Sequence, residues 1–357
     1  MNLFQAVLLH CFEKIHGERT VYSIFHILKG KKSLQSIQDV HFYQLTKWFS
    51  TVPYLSRGDF EKEIKRICDQ QWCYMENGER AFLLPKGKSE LEEFWTKDSA
   101  LPYLDGWPLH SMASVFWKRL NLLVQTVSHL IHEESVFYPA ERNDQVQNWV
   151  KKWLLSRKVN RTDTGVQLYR ELYELLQSEK EKVDDPRLFV FRLSGYERIG
   201  KTAAQTAKQL GIEEPEYWLR FSHWIHFMIH SALHHPKKFP ILYEMLLDLK
   251  QPVVLTKSAQ KTYELFQRGL SVEQIAHVRG LKRNTIEDHL VEIALNVPDF
   301  SIDPFIEREE LEAFEKVAKT LTSKKLKDIK EILPHLSYFQ IRLVLAKYGR
   351  IVNQHGT

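Results

Sequence analysis

Three clusters of residues have types and spacings that suit a definite chemistry. The first runs Ser271-Val272-Glu273-Gln274-Ile275-Ala276-His277-Val278-Arg279-Gly280-Leu281-Lys282-Arg283-Asn284-Thr285-Ile286-Glu287-Asp288-His289-Leu290. Ser271 with Gln274 is a capping box. Ala276 is small enough for a close helix approach, and Gly280 can take the left-handed conformation that ends a helix. Ile286 closes a small core with Ile275, Leu281 and Leu290. This spacing predicts a helix-turn-helix. In its DNA-bound geometry the start of the second helix enters the major groove. Lys282, Arg283, Asn284 and Thr285 are therefore expected at phosphates and base edges, with His289 following on the same exposed side. Glu287, Asp288 and Glu292 lie on that helix too, which favours positioning on phosphates over tight base readout. The competing reading is a unit that only packs other domains.

The second cluster, Gly195-Tyr196-Glu197-Arg198-Ile199-Gly200-Lys201-Thr202, satisfies the phosphate-loop pattern and follows the strand-like Leu188-Phe189-Val190-Phe191. It would set Lys201 on phosphates and Thr202 on magnesium. The surroundings lack the alternating strands and helices of a parallel sheet, and no apolar strand ending in Asp supplies the metal partner. The preferred reading takes Thr202 to Ile212 as a degenerate second helix-turn-helix, with Ala207, Gly211 and Tyr217 at its special positions. Its acidic Glu213, Glu214 and Glu216 suit protein docking or core rather than DNA. In the third cluster, His223, His226, His230 and His234 share one helical stripe. His226 with His230 has the spacing to chelate a metal. Trp224, Phe227 and Met228 surround them with apolar bulk, so a core or interface role is expected, with no metal, no cofactor and no catalytic set.

The elements that must position these residues read mainly at helical spacing, with Gly and Pro between segments. One exception is Trp72 to Leu84, where two short segments flank Asn77-Gly78, the dipeptide of a type I′ hairpin turn. The helix before it opens at Ser56 with Asp59 three residues on, and puts Phe60, Ile64, Ile67 and Cys68 on one face. Helices followed by such a hairpin make a winged helix. The expected fold is mainly α: an N-terminal winged-helix domain with a small β-hairpin over 1–88, a helical middle domain with the degenerate helix-turn-helix over 89–250, and a C-terminal helix-turn-helix domain over 251–357. The second boundary falls at Lys250-Gln251-Pro252, and the tryptophans of the middle domain are read as core. Beyond Pro304, amphipathic helices are expected over Glu307 to Leu321 and Lys324 to Leu333, then a last one opened by Ser337 with Gln340. Lys324, Lys325, Lys327 and Lys330 form either a phosphate track or a solvated face.

Composition bounds the function classes. The 357 residues carry 50 Lys and Arg against 45 Asp and Glu, a net charge of +5, and 43% are apolar. That excludes a polybasic arm, so any DNA contact must come from local patches. Cys11, Cys68 and Cys73 are too few for a disulfide framework or a four-cysteine zinc site and point to a reducing compartment. The opening Met1 to His10 lacks a basic region and a cleavage site, and no apolar run approaches the roughly 20 residues of a membrane span, so a cytoplasmic protein free of membranes is expected.

The C-terminal motif, with Leu326-Lys327-Asp328-Ile329-Lys330-Glu331-Ile332-Leu333-Pro334 and Tyr338-Phe339-Gln340-Ile341-Arg342, resembles the helix-turn-helix module appended to some RecQ and Werner-type helicases. The first domain resembles their winged helix through Ile27-Leu28-Lys29-Gly30-Lys31-Lys32-Ser33, the helix from Leu55-Ser56 to Ile67, and the hairpin. Taken whole, the order resembles the bacterial YpbB family, helix-turn-helix proteins associated with a short RecQ-like helicase that lacks these modules. The resemblance implies a non-enzymatic DNA-binding accessory of a RecQ-like helicase in DNA repair or recombination. The four-cysteine zinc element that often precedes such winged helices is absent, and Glu76 and Glu79 at the hairpin tip disfavour a strand-separating wedge at Tyr74 or Met75. Lys31, Lys32, Ser33, Lys62, Lys65 and Arg66 are instead expected to contact the DNA backbone. Two alternatives come from other classes: a sequence-specific transcription regulator, and an ATPase using Gly195 to Thr202.

Overall fold

The computed structural model describes residues 1–97, 101–134, 136–157, 160–178, 184–249, 253–318 and 324–348. It is mainly helical, with one small antiparallel hairpin near the N-terminus. Helix α1 (Leu3–Ile15) opens on a capping box between Asn2 and Gln5. Helix α2 (Val21–Lys29) ends on Gly30 at φ 75°, a left-handed position that glycine adopts without strain. Helix α3 (Leu34–Phe42), a 3-10 turn at Thr46–Trp48 and α4 (Arg57–Asp69) follow, the last capped by Ser56, whose hydroxyl accepts from the Asp59 N–H. Strands β1 (Cys73–Glu76) and β2 (Arg80–Leu83) pair antiparallel, with Cys73 opposite Leu83. Asn77 and Gly78 both have positive φ, as a type I′ turn requires. The Glu79 carbonyl accepts from the Val21 N–H at 2.8 Å, tying the hairpin to the start of α2. Helix α5 (Pro85–Lys97) packs on the same core, which reaches past residue 88 to Leu101, Leu104 and Trp107.

The middle of the chain is built on the long α6 (Gly106–Ile131), flanked by α7 (Asp144–Ser156) and α8 (Arg161–Ser178). The strand-like Leu188 to Phe191 is a short helix instead, α9 (Arg187–Val190), begun by Pro186. Among the described residues its apolar run has no neighbouring strand to pair with, and Leu188 and Phe189 are buried in the helical core. Helices α10 (Ala203–Leu210) and α11 (Glu214–His234) join through Gly211 at φ 71°, with Tyr217 fully buried, so the second helix-turn-helix is formed. Trp107, Trp153 and Trp224 are buried; Trp95, Trp117, Trp149 and Trp218 pack partly buried against the cores.

Helix α12 (Pro240–Glu244) starts against a buried carboxylate: Glu171 of α8 accepts from the Ile241 and Leu242 N–H groups, each at 3.1 Å. The third core gathers α13 (Lys257–Gln267), α14 (Val272–Arg279), α15 (Arg283–Asn296), a 3-10 turn at Asp303–Phe305, α16 (Arg308–Ala318), α17 (Leu326–Ile332) and α18 (Tyr338–Tyr348). The expected boundary at Lys250 to Pro252 and the last residues of the helix expected to reach Leu321 lie outside the described residues. Among the described residues no helix is long and apolar enough to cross a membrane.

Burial pushes the Glu171 carboxyl up to about 7, against the pull of the two N–H groups and Arg157. Its ordinary value is 4.5, so the native state holds this proton more tightly than the unfolded chain. The stabilisation is fully present below pH 4.5 and is lost as pH rises through about 7. The stability of the wild type relative to Glu171→Gln should therefore fall on the order of 3 kcal/mol across that window. Urea unfolding of both proteins at the two ends of the window measures it; a pH-independent difference contradicts the account.

Candidate nucleic-acid interface

The C-terminal motif folds as its caps dictate. Ser271 and Gln274 form the capping box of α14, and Gly280 ends it at φ 61°. Ile275, Ile286 and Leu290 are fully buried beneath the turn, with Leu281 packed against them. Arg279 fastens α14 to α13, donating to the Ser258 carbonyl at 2.7 Å and its hydroxyl at 3.0 Å. Lys282 occupies the cap position of α15, and no side chain caps that helix. The positive end of its dipole therefore stays open to an anion. Lys282, Arg283 and Asn284 are exposed, and Thr285 is half-buried.

His289 is a correction. It is buried, with Nδ1 2.9 Å from the Thr262 hydroxyl of α13. It lies three residues after Ile286, on the core stripe of α15, and no groove can reach it. Burial, with Arg279 adding to it and Asp288 opposing, lowers its pKa and keeps the imidazole neutral.

The carboxylates of α15 are all engaged. Arg283, 62% exposed, donates to Glu273 at 2.5 Å and to Glu287 at 2.9 Å. Asp288 pairs with Arg342 of α18 at 2.7 Å, and Glu292 accepts from Thr256. A cavity of about 780 Å³ runs beside the exposed start of α15, between Arg283, Asn284 and Glu287 on one side and Tyr338, Gln340 and Arg342 on the other. The start of α18 was missing from the sequence-based site. Its Ser337–Gln340 capping box is legible and is formed, but its place beside α15 rests on a contact 54 positions apart in the chain.

The N-terminal candidates lie elsewhere. Lys31 and Lys32 are exposed after Gly30, whereas Ser33 caps α3. Lys32 stands within electrostatic reach of Lys257 and Glu292, roughly 15 Å along α15 from Lys282. Lys62 and Lys65 are exposed on α4, but Arg66 is held by Glu63 at 3.0 Å and by Glu213 of the middle unit at 2.6 Å. The acidic turn before α11 thus meets α4 through one ion pair. In the lysine cluster of 324 to 330, Lys324 donates to the Phe42 carbonyl at 2.6 Å and Lys330 to the Pro334 carbonyl at 2.7 Å. Both are structural ties between or within units.

The phosphate-loop segment closes on itself. The N–H groups of Gly195 and Arg198 bond across an antiparallel bridge, Gly200 donates to Ser194 Oγ, Lys201 to the Phe191 carbonyl and Thr202 to Gln205. The Lys201 ammonium meets Gln209. Few backbone donors are left to cradle a phosphate. On the histidine stripe, His223 stacks on Tyr103, and His226 accepts from the Asp105 N–H at 3.0 Å. Among the described residues no group of three His, Cys, Asp or Glu is arranged to hold a metal.

Residues 258–345, which run from α13 to α18, match a helix-turn-helix domain family. Across nearly its whole length the chain is similar to Protein YpbB of Bacillus subtilis (strain 168), 31% identical over 368 residues, covering 97% of this chain and 98% of that one. No solved structure matches.

Arg283 is held back by two carboxylates, and the more exposed of them is Glu273. Glu273→Gln should free the guanidinium and raise affinity for duplex DNA about two- to fivefold at low salt, with the gain fading as salt rises. Fluorescence anisotropy with a labelled duplex reads this. An unchanged affinity at every salt concentration would place Arg283 away from the DNA.

Proposed function

The chain belongs to the YpbB family of helix-turn-helix proteins, and from that premise we propose that it is a non-catalytic DNA-binding accessory subunit that partners a RecQ-like helicase in DNA repair or recombination. The observation that carries the reading is the exposed, uncapped start of α15 with Lys282, Arg283 and Asn284. Beyond Thr285, Ile286 and the run from His289 to Ala294 are buried, and Glu287 and Asp288 are paired with arginines. A helix with one free turn suits gripping the backbone better than operator reading, which takes three or four side chains at base edges. This argues against the transcription-regulator reading.

Two features favour a protein partner. The net charge of +5 leaves much of the electrostatic affinity to be supplied by a motor bound to the same DNA. The middle unit also exposes Leu155 in the lining of a cavity of about 560 Å³ between α6 and α7, and exposes Val136 and Tyr138 on either side of Phe137, which lines it as well. Exposed apolar surface of this kind marks a docking face. The reading places the protein in the cytoplasm beside the DNA.

The double variant Lys282→Ala, Arg283→Ala should lower the slope of log affinity against log salt by roughly 1 to 2. With a RecQ-like helicase lacking accessory modules, the wild-type chain should stimulate unwinding of a forked duplex, and the double variant should stimulate it less. A pull-down that recovers no helicase, together with unwinding unaffected by the wild-type chain, would sink the proposal.

A further inference from the structure

A cavity of about 370 Å³ separates the 50–54 loop of the first unit from α6 and α11, and the helix-turn-helix reading leaves it unused. Arg192 stands in its wall. The guanidinium sits among four rings, 5.8 Å from the centroids of Trp117 and Tyr217, 5.5 Å from Trp218 and 5.4 Å from Phe221. Its hydrogen bond goes to the Tyr217 hydroxyl at 3.1 Å. The other ring-stacked arginines of the middle unit each rest on a carboxylate: Arg119 on Trp149 and Asp248, Arg157 on Trp153 and Glu244. Among the described residues, Arg192 meets no carboxylate. Lys118 lines the same cavity with Glu141 at 3.5 Å, so two cations there face one carboxylate. The unused donors of a guanidinium fork match an oxyanion.

The rest of the lining suits a flat, neutral group. Tyr54 is 70% exposed and tilts against Trp218 at 4.8 Å, forming an aromatic ledge. His110 and His226 also line the cavity. Burial pushes His110 down to about 4, opposed by the Trp107 carbonyl and helped by Lys32, and it pushes His226 down to about 3, with His230 and His223 adding. The neutral His110 ring donates from Nδ1 to the Trp107 carbonyl, leaving Nε2 an acceptor, whereas His226 Nδ1 accepts from Asp105, leaving Nε2–H a donor. A neutral donor and acceptor together fit the edge of a base rather than an ion.

We propose that this cavity holds one nucleotide unit, with its phosphate on Arg192 and Lys118 and its base on the Tyr54–Trp218 ledge. The site is separate from the Gly195 to Thr202 loop and from α15, so it stands whether or not α15 meets DNA. The unit is either a free mononucleotide or the 5′-phosphorylated end of a strand. The strand would enter beside Ser50, where Gly30 and its following lysines lie close.

The test is tryptophan fluorescence of the full chain titrated with AMP, adenosine, and hexathymidylate with and without a 5′-phosphate. Saturable quenching by AMP identifies the free nucleotide, and by the phosphorylated strand alone, the strand end. Either should weaken about tenfold or more in Arg192→Gln and in Tyr54→Ala, and persist in the Lys282, Arg283 double variant. Tyr54 is exposed, so its variant keeps the test valid even if Arg192→Gln fails to fold. The proposal is overturned if neither phosphorylated probe gives saturable quenching, if adenosine binds as well as AMP, or if the variants that fold bind as the wild type does.

Discussion

A carboxylate only 3% exposed is costly to bury unless its oxygens are met, and Glu292 of α15 is met by the N–H and hydroxyl of Thr256, the cap of α13. Burial raises its pKa, while Thr256 and Lys32 pull the other way and the start of α13 presents its positive dipole end. This contact fixes α13 across α15. Arg279 then fixes α14 on α13, and the turn through Gly280 fixes where α15 begins. The exposed cluster at Lys282 to Asn284 is thus aimed by an interaction at the far end of the same helix. The buried carboxylate specifies the crossing more than it stabilises it, since each hydrogen bond to a charged acceptor contributes only about 1.5 to 3 kcal/mol against the desolvation of that charge.

Local signals made most of the elements legible. The capping boxes at Ser271, Thr202 and Ser337, the glycines at 211 and 280 and the Asn77-Gly78 turn all lie within five residues of what they determine, and all are formed. The misreadings share one cause, which is that a neighbour distant in sequence decided the outcome. Leu188 to Phe191 has the composition of a strand but, among the described residues, no strand to pair with. His289 looked exposed because nothing nearby in sequence shows that α13 lies over it. Lys324 reads as part of either a phosphate track or a solvated face, yet its ammonium donates to the Phe42 carbonyl and its N–H to Glu18, 306 positions away, at 3.1 Å.

The carboxylates of α15 illustrate why residue type alone misjudges an interface. Counted along the sequence, Glu287, Asp288 and Glu292 repel a phosphate backbone. In the fold, Arg283 neutralises the first, Arg342 the second, and Thr256 buries the third. Arg283 itself stays 62% exposed, so a phosphate competes for its guanidinium at modest cost. The second brings α18 alongside and widens the surface beside the start of α15. The same acids that argue against binding in one dimension organise the surface around Lys282 to Asn284 in three.

The three cores are interlocked rather than strung together. Phe42 of the first unit belongs to the third core, and Leu219 of the second belongs to the first. Trp107 donates to Asn296 at 2.6 Å, and Ser222 to the Thr51 carbonyl at 3.0 Å. Gly106 lets α6 approach so closely that a Cβ there would lie 2.3 Å from the Phe49 carbonyl. Domains joined by polar linkers move relative to one another by default, but these ties hold the basic start of α15 and the lysines after α2 at a set separation. Each patch alone is too small to grip a duplex against salt. On the proposed function, two patches held rigidly would act on one strand at high effective concentration, without the ordering entropy that a flexible pair would lose. On that reading a chain of nearly balanced charge needs no polybasic arm, because fixed geometry supplies what net charge does not.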